Sequence, residues 1–221
     1  MIAESVRRSW MEPVVVSIAV LLPGLVPAGP GLVDAAAWLG AGASQALSQF
    51  ALLLVIIGSS GRLRDYGIGR LLPGDVLRAV LLLGVVVLAA RVAAALAASG
   101  FPGSAGGLSA VPPTGSSPYL PLILLSGFFA VAVGYREELF YRVYVIGALR
   151  DRGAGTAAAV LVSTGLFAAG HAYQGLPGIL SSLVVGAVMA VAAIRGFRLH
   201  ALALAHAAYD FGVLMAALAC F

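Results

Sequence analysis

The chain has 221 residues, 61% of them hydrophobic and only 10% charged, with a formal net charge of +4. Soluble domains average about 45–50% apolar and about 25% charged residues; together with a mean hydropathy of +1.04, the composition excludes a soluble globular class and implies an integral membrane protein. All 13 positive charges are arginines; they fall largely in the connections between apolar runs, where they orient a membrane chain, so nucleic-acid binding gains no support.

Apolar runs lie at 13–33, 35–60, 73–98, 119–149, 154–173, 176–195 and 198–219, each near the roughly 20 residues that cross a bilayer as a helix. The expectation is an all-α, polytopic transmembrane bundle of about seven spans, a single domain over 1–221 whose chemistry lies in 119–219. Pro23 and Pro27 interrupt the first run, and Val26-Pro27-Ala28 loosely resembles a signal-peptidase site. Further apolar sequence follows at once, so a retained helix is expected. The stretch SGFPGSAGGLSAVPPTGSSP separates three leading spans from four trailing ones and reads as a flexible external connection. Arg7 and Arg8, Arg62, Arg64 and Arg70, Arg150 and Arg152, and Arg195 and Arg198 occupy alternate connections. This sets a multi-pass protein of the cell membrane with its N-terminus in the cytoplasm and its C-terminus outside. The lone cysteine, Cys220, rules out an intrachain disulfide.

The stretch GYREELFYR, residues 134–142, sets Glu137, Glu138 and Arg142 inside a membrane-length run. A charge at the bilayer centre costs about 2.5–3.5 kcal/mol on the insertion scale, so compensating partners are expected. Glu138 and Arg142 form an i, i+4 pair, acid before base. On an α-helix Glu137 points about 100° away from Glu138 and needs another partner. The turn near 151–155 sets Glu137 level with His171, the end of FAAGH, across an antiparallel hairpin. In LAHAAYD, His206 and Asp210 share one face of the last span. Ionisable groups within a membrane mark functional sites by default. The plainer alternative is a structural ion-pair network of Glu137 and Glu138 with Arg136 and Arg142. Arg91 is expected to snorkel or to pair with Asp210 or Glu138, His200 to be a solvated loop residue, and Phe167 to pack beneath His171. Gly165, Gly170 and Gly186 suit close helix approach.

Glu-Glu-x-x-x-Arg at 137–142, Phe-x-x-x-His at 167–171 and His-x-x-x-Asp at 206–210, in this order on successive spans, resemble the CAAX-protease and bacteriocin-processing (CPBP) family of intramembrane endopeptidases. The resemblance implies peptide-bond hydrolysis by an activated water. It casts Glu137 and His171 as the activating pair and His206 with Asp210 as the stabilisers of the oxyanion, with Glu138 and Arg142 in support. An ionised Asp210 would repel an oxyanion, so it must be protonated, orient His206 or bind a metal. The family is often labelled metalloprotease, and Glu137, His171 and His206 would make an acceptable zinc site. The surplus acid and the absence of HExxH favour a glutamate-activated water without a metal. The implied partners are the lipid bilayer and a membrane-embedded or lipidated peptide or protein, CAAX-type if prenylated. The alternatives are a proton-coupled transporter or channel and an inactive protease-like scaffold in bacteriocin self-immunity.

Overall fold

The computed structural model of the chain describes residues 10–25, 34–59, 68–100 and 119–218. Arg7, Arg8, Arg62, Arg64, Val26-Pro27-Ala28, the connection 101–117 and Cys220 lie outside the described residues. Within them are seven apolar helices: α1 (Met11–Leu25), α2 (Ala35–Ser59), α3 (Pro73–Gly100), α4 (Tyr119–Asp151), α5 (Thr156–Gly170), α6 (Gly175–Ile194) and α7 (Leu199–Leu218). Each coincides with one of the seven apolar runs, and the fold is a membrane helical bundle. Five are long and apolar enough to cross a bilayer, α6 together with the short turn Ala172–Gln174 before it. The others, α1 and α5, have 15 residues each, or about 22 Å at 1.5 Å per residue.

The outward faces are as apolar as the core, as a lipid-facing surface requires. Leu77, Leu81, Leu88, Leu96, Leu124 and Leu161 are all exposed. Burial follows helical spacing instead: α2 turns Ala35, Leu39, Ala43, Ala46, Gln49, Leu53 and Ile57 inward, a three-to-four-residue stripe. Helix α4 is the hub. It packs against α2 on one side and α7 on the other; α7 also meets α3, α3 meets α6, and α6 meets α5. The α4–α7 crossing is tight because Gly134 has no side chain: a Cβ there would meet Ala203 O at 2.9 Å and Ala207 N at 3.0 Å. Small residues are how membrane helices bring their backbones together.

Within α4, residues Glu138–Val145 form a π-helical segment, and all eight are buried. Such wide turns are rare and gather at functional sites. Nothing in the apolar periodicity foretold this one. Its slower winding turns successive side chains by less than the α-helical 100°, and it carries the ELF of GYREELFYR into the densest part of the core, with Leu139, Phe140, Tyr141, Tyr144 and Phe167.

Polar anchors fix the ends. Asp75, 2% exposed, binds Arg198 at 2.9 Å and accepts the Leu72 N–H at 3.0 Å. Glu12 on α1 bonds Arg152 at 3.2 Å and accepts from the Tyr144 hydroxyl at 3.1 Å. His200 corrects its expected place in a solvated loop. It is half-buried in the first turn of α7, with Nε2 2.7 Å from the Gly69 carbonyl and Nδ1 2.9 Å from the Tyr135 hydroxyl. A carbonyl only accepts, so Nε2 carries a proton there. Arg91 is exposed on α3, as snorkelling requires, and the carboxylates of Glu138 and Asp210 find other partners.

Candidate active site

The π-segment begins at Glu138, and at this point α4 meets α7. Glu138 is wholly buried and holds two partners at once. One oxygen, Oε2, lies 3.3 Å from Arg142 Nε, the i, i+4 pair read from the sequence. The other, Oε1, lies 2.7 Å from His206 Nδ1. A carboxylate only accepts, so His206 donates Nδ1–H and presents Nε2 on its far side.

That far side faces the other two acids. His206 Nε2 stands 3.6 Å from Glu137 Oε2 and 3.6 Å from Asp210 Oδ2. Both glutamates of the pair thus reach the same imidazole, one at each ring nitrogen. The two acids approach the ring from different sides, and Arg142 pairs with Glu138 while Glu137 takes another partner. Glu137, 6% exposed, also has the partner anticipated by the structural alternative: its Oε1 lies 2.8 Å from Arg136 Nη2. Its Oε2 accepts no hydrogen bond among the described residues.

His171 caps the C-terminus of α5 and is half-buried. Its Nδ1 is 2.8 Å from the Phe167 carbonyl, which only accepts, so Nδ1 carries a proton and Nε2 is the ring nitrogen left for other partners. Phe167 packs against it as expected, with ring centroids 4.6 Å apart, and the same ring stands 5.8 Å from His206. His171 lies within electrostatic range of Glu137 and Asp210. Its ring hydrogen bond runs to Phe167, whereas the ion pair of Glu137 runs to Arg136.

Arg142 is held from all sides. Its side chain is 0% exposed, its guanidinium carbon lies 4.7 Å from the Phe167 ring centre and 5.6 Å from that of Tyr141, and Nη1 donates to Ser163 Oγ at 3.4 Å. The Ser163 hydroxyl in turn donates to the Tyr141 carbonyl at 2.8 Å. Two of the singled-out glycines make room in this layer: a Cβ on Gly170 would meet the Tyr141 hydroxyl at 2.9 Å, and one on Gly186 the Phe167 ring at 2.9 Å. Gly165 is corrected: nothing lies within 4 Å of its Cβ position, so it serves no close approach.

Neither Ser163 nor the Glu138–His206 bond was visible in the residue spacing. Arg136 was visible beside the acids, but without geometry its partner was open. A zinc ion on Glu137, His171 and His206 does not fit this arrangement. Guanidinium groups contact both glutamates, His206 Nδ1 is committed to Glu138, and no group of three or more His, Cys, Asp and Glu among the described residues is arranged to hold a metal.

The model of one protein family, described as Rce1-like, type II CAAX prenyl endopeptidase Rce1-like, matches residues 118–212. The matched stretch contains all three motifs and bears out the resemblance drawn from them. No curated protein and no solved structure matches the chain.

Proposed function

We propose, from the match of residues 118–212 to the Rce1-like family model of CAAX prenyl endopeptidases, that this protein hydrolyses peptide bonds of membrane-associated substrates through a water activated by Glu137. The observation that carries this reading is the meeting of Glu137 and His206 at 3.6 Å, both nearly buried. A carboxylate oxygen without a hydrogen-bond donor, beside an imidazole, can take a proton from water and later return it.

The roles then follow from position. Glu137 Oε2 is the general base. His171 assists through Nε2 by sharing the proton. Glu138 orients His206 through Nδ1, and Arg142 balances the charge of Glu138. Asp210 stands 3.6 Å from His206 Nε2, on the side of the ring away from Glu138, and its role is to orient the ring and hold a proton on that nitrogen. The bundle keeps bulk water away from these groups, which strengthens each electrostatic contact. A lipid-borne substrate suits a chain whose acids and imidazoles meet inside a bilayer-spanning bundle.

Purified protein in liposomes, offered a prenylated and an unprenylated peptide of one sequence, tests this. The expected result is cleavage by the native chain and none by Glu137→Gln, with the variant still folded and inserted. Equal cleavage by Glu137→Gln refutes the assignment. Proton flux across the liposome without cleavage would favour the transporter alternative, which needs polar groups reaching both faces.

A further inference from the structure

We propose that Arg136 is a catalytic residue whose guanidinium stabilises the oxyanion formed at the scissile carbonyl; this rests on the reading of Glu137 as the base. Three carboxylates, Glu137, Glu138 and Asp210, surround His206. Attack on a carbonyl moves the negative charge of Glu137 onto the carbonyl oxygen, beside the charges of Glu138 and Asp210, and a site so acidic needs a cation near the substrate. Arg142 cannot serve. Its Nε and Nη2 lack hydrogen-bond partners among the described residues, but its side chain is 0% exposed, packed against aromatic rings and paired with Glu138, out of reach of a substrate.

Arg136 is placed differently. Its side chain is 17% exposed, Nη2 sits 2.8 Å from Glu137 Oε1, and its buried Nε has no hydrogen-bond partner among the described residues. A guanidinium has five N–H donors in a rigid fork, so one contact to Glu137 leaves others to give. A carbonyl attacked by a water on Glu137 Oε2 lies about two hydrogen-bond lengths, or about 6 Å, from that carboxylate. A guanidinium bound to the companion oxygen is within reach of it.

The step balances within the site. Water's O–H breaks and its proton goes to Glu137 as the new C–O bond forms. The carbonyl π pair moves onto oxygen, where the Arg136 guanidinium donates to it, joined by His206 in the doubly protonated form in which Nε2 also carries a proton. On collapse the C–N bond breaks, the proton on Glu137 passes to the departing nitrogen, and a carboxylic acid and an amine leave.

The test measures kcat and KM of Arg136→Ala and Arg136→Lys on the full chain in liposomes, with and without a few millimolar free guanidinium. Loss of one preorganised donor costs about 10²–10³ in kcat. The expected result for Arg136→Ala is a fall of that size with KM little changed, partly restored by guanidinium, and an intermediate rate for Arg136→Lys. A kcat that is unchanged or raised in Arg136→Ala overturns the inference, because Arg136 then only clamps the base. A loss without rescue overturns it as well, since the role is then structural. The reading of Glu137 is scored separately: cleavage by Glu137→Gln defeats it, whereas inactive Glu137→Gln beside fully active Arg136→Ala defeats only the role of Arg136.

Discussion

Glu138 shows how closely charge and architecture are joined in this chain. It is wholly buried between Arg142 and His206, and removing one partner of such a pair strands the other. Arg142→Ala is therefore expected to destabilise the protein by about 3–5 kcal/mol, the usual cost of an uncompensated buried charge. Thermal unfolding in detergent measures this. Glu137→Gln should leave the midpoint nearly unchanged while cleavage disappears, because Arg136 is partly solvated and can reorient. A comparable loss of stability in both variants would mean that Glu137 is structural. Much of this was legible from residue spacing: Glu138 with Arg142, His206 with Asp210, and Phe167 beneath His171 all follow from i, i+4 geometry. The bond between Glu138 and His206 was not, since it spans two helices and depends on their relative rotation, which no local pattern encodes.

Among elements, α4 and α7 decide whether the site exists. Gly134 lets their backbones touch one turn before the acids, where any Cβ would press on the Ala203 carbonyl and the Ala207 amide. Gly134→Ala is expected to cost about 1–3 kcal/mol by overpacking, and to lower kcat far more than that loss of fold would by displacing His206 from both glutamates. Gly165→Ala is the matched control. Its Cβ meets nothing, and alanine in a helix gains about 0.5–1 kcal/mol over glycine. Thermal midpoints and rates of the two variants, compared side by side, check both statements. Equal effects would remove the special role of the α4–α7 crossing. The run of apolar residues made α4 visible as a long helix, yet its π-turn was invisible because hydropathy reports which residues avoid water and says nothing of how tightly the backbone winds.

For the whole molecule, hydropathy was a sound guide to the number of helices and a poorer one to their length. The run 154–173 looked long enough to span, but Gly155 precedes the first turn of α5 and His171 ends it. Orientation rests on the arginine-rich turn at 150–152, and it is tested by Gly153→Cys in a Cys220→Ser background. An impermeant thiol reagent is expected to label this cysteine only after the cells are opened; labelling of intact cells would invert the proposed topology. The brevity of α5 has a consequence for the surrounding lipid. At about 22 Å it falls about 8 Å short of an average hydrocarbon core, and such mismatch costs fractions of a kcal/mol per ångström. Acyl chains beside α5 must therefore shorten or tilt, leaving a dimple on that flank. The enzyme should run faster in vesicles of short-chain lipids than in thick ones, where closing the dimple would squeeze the helix that carries His171.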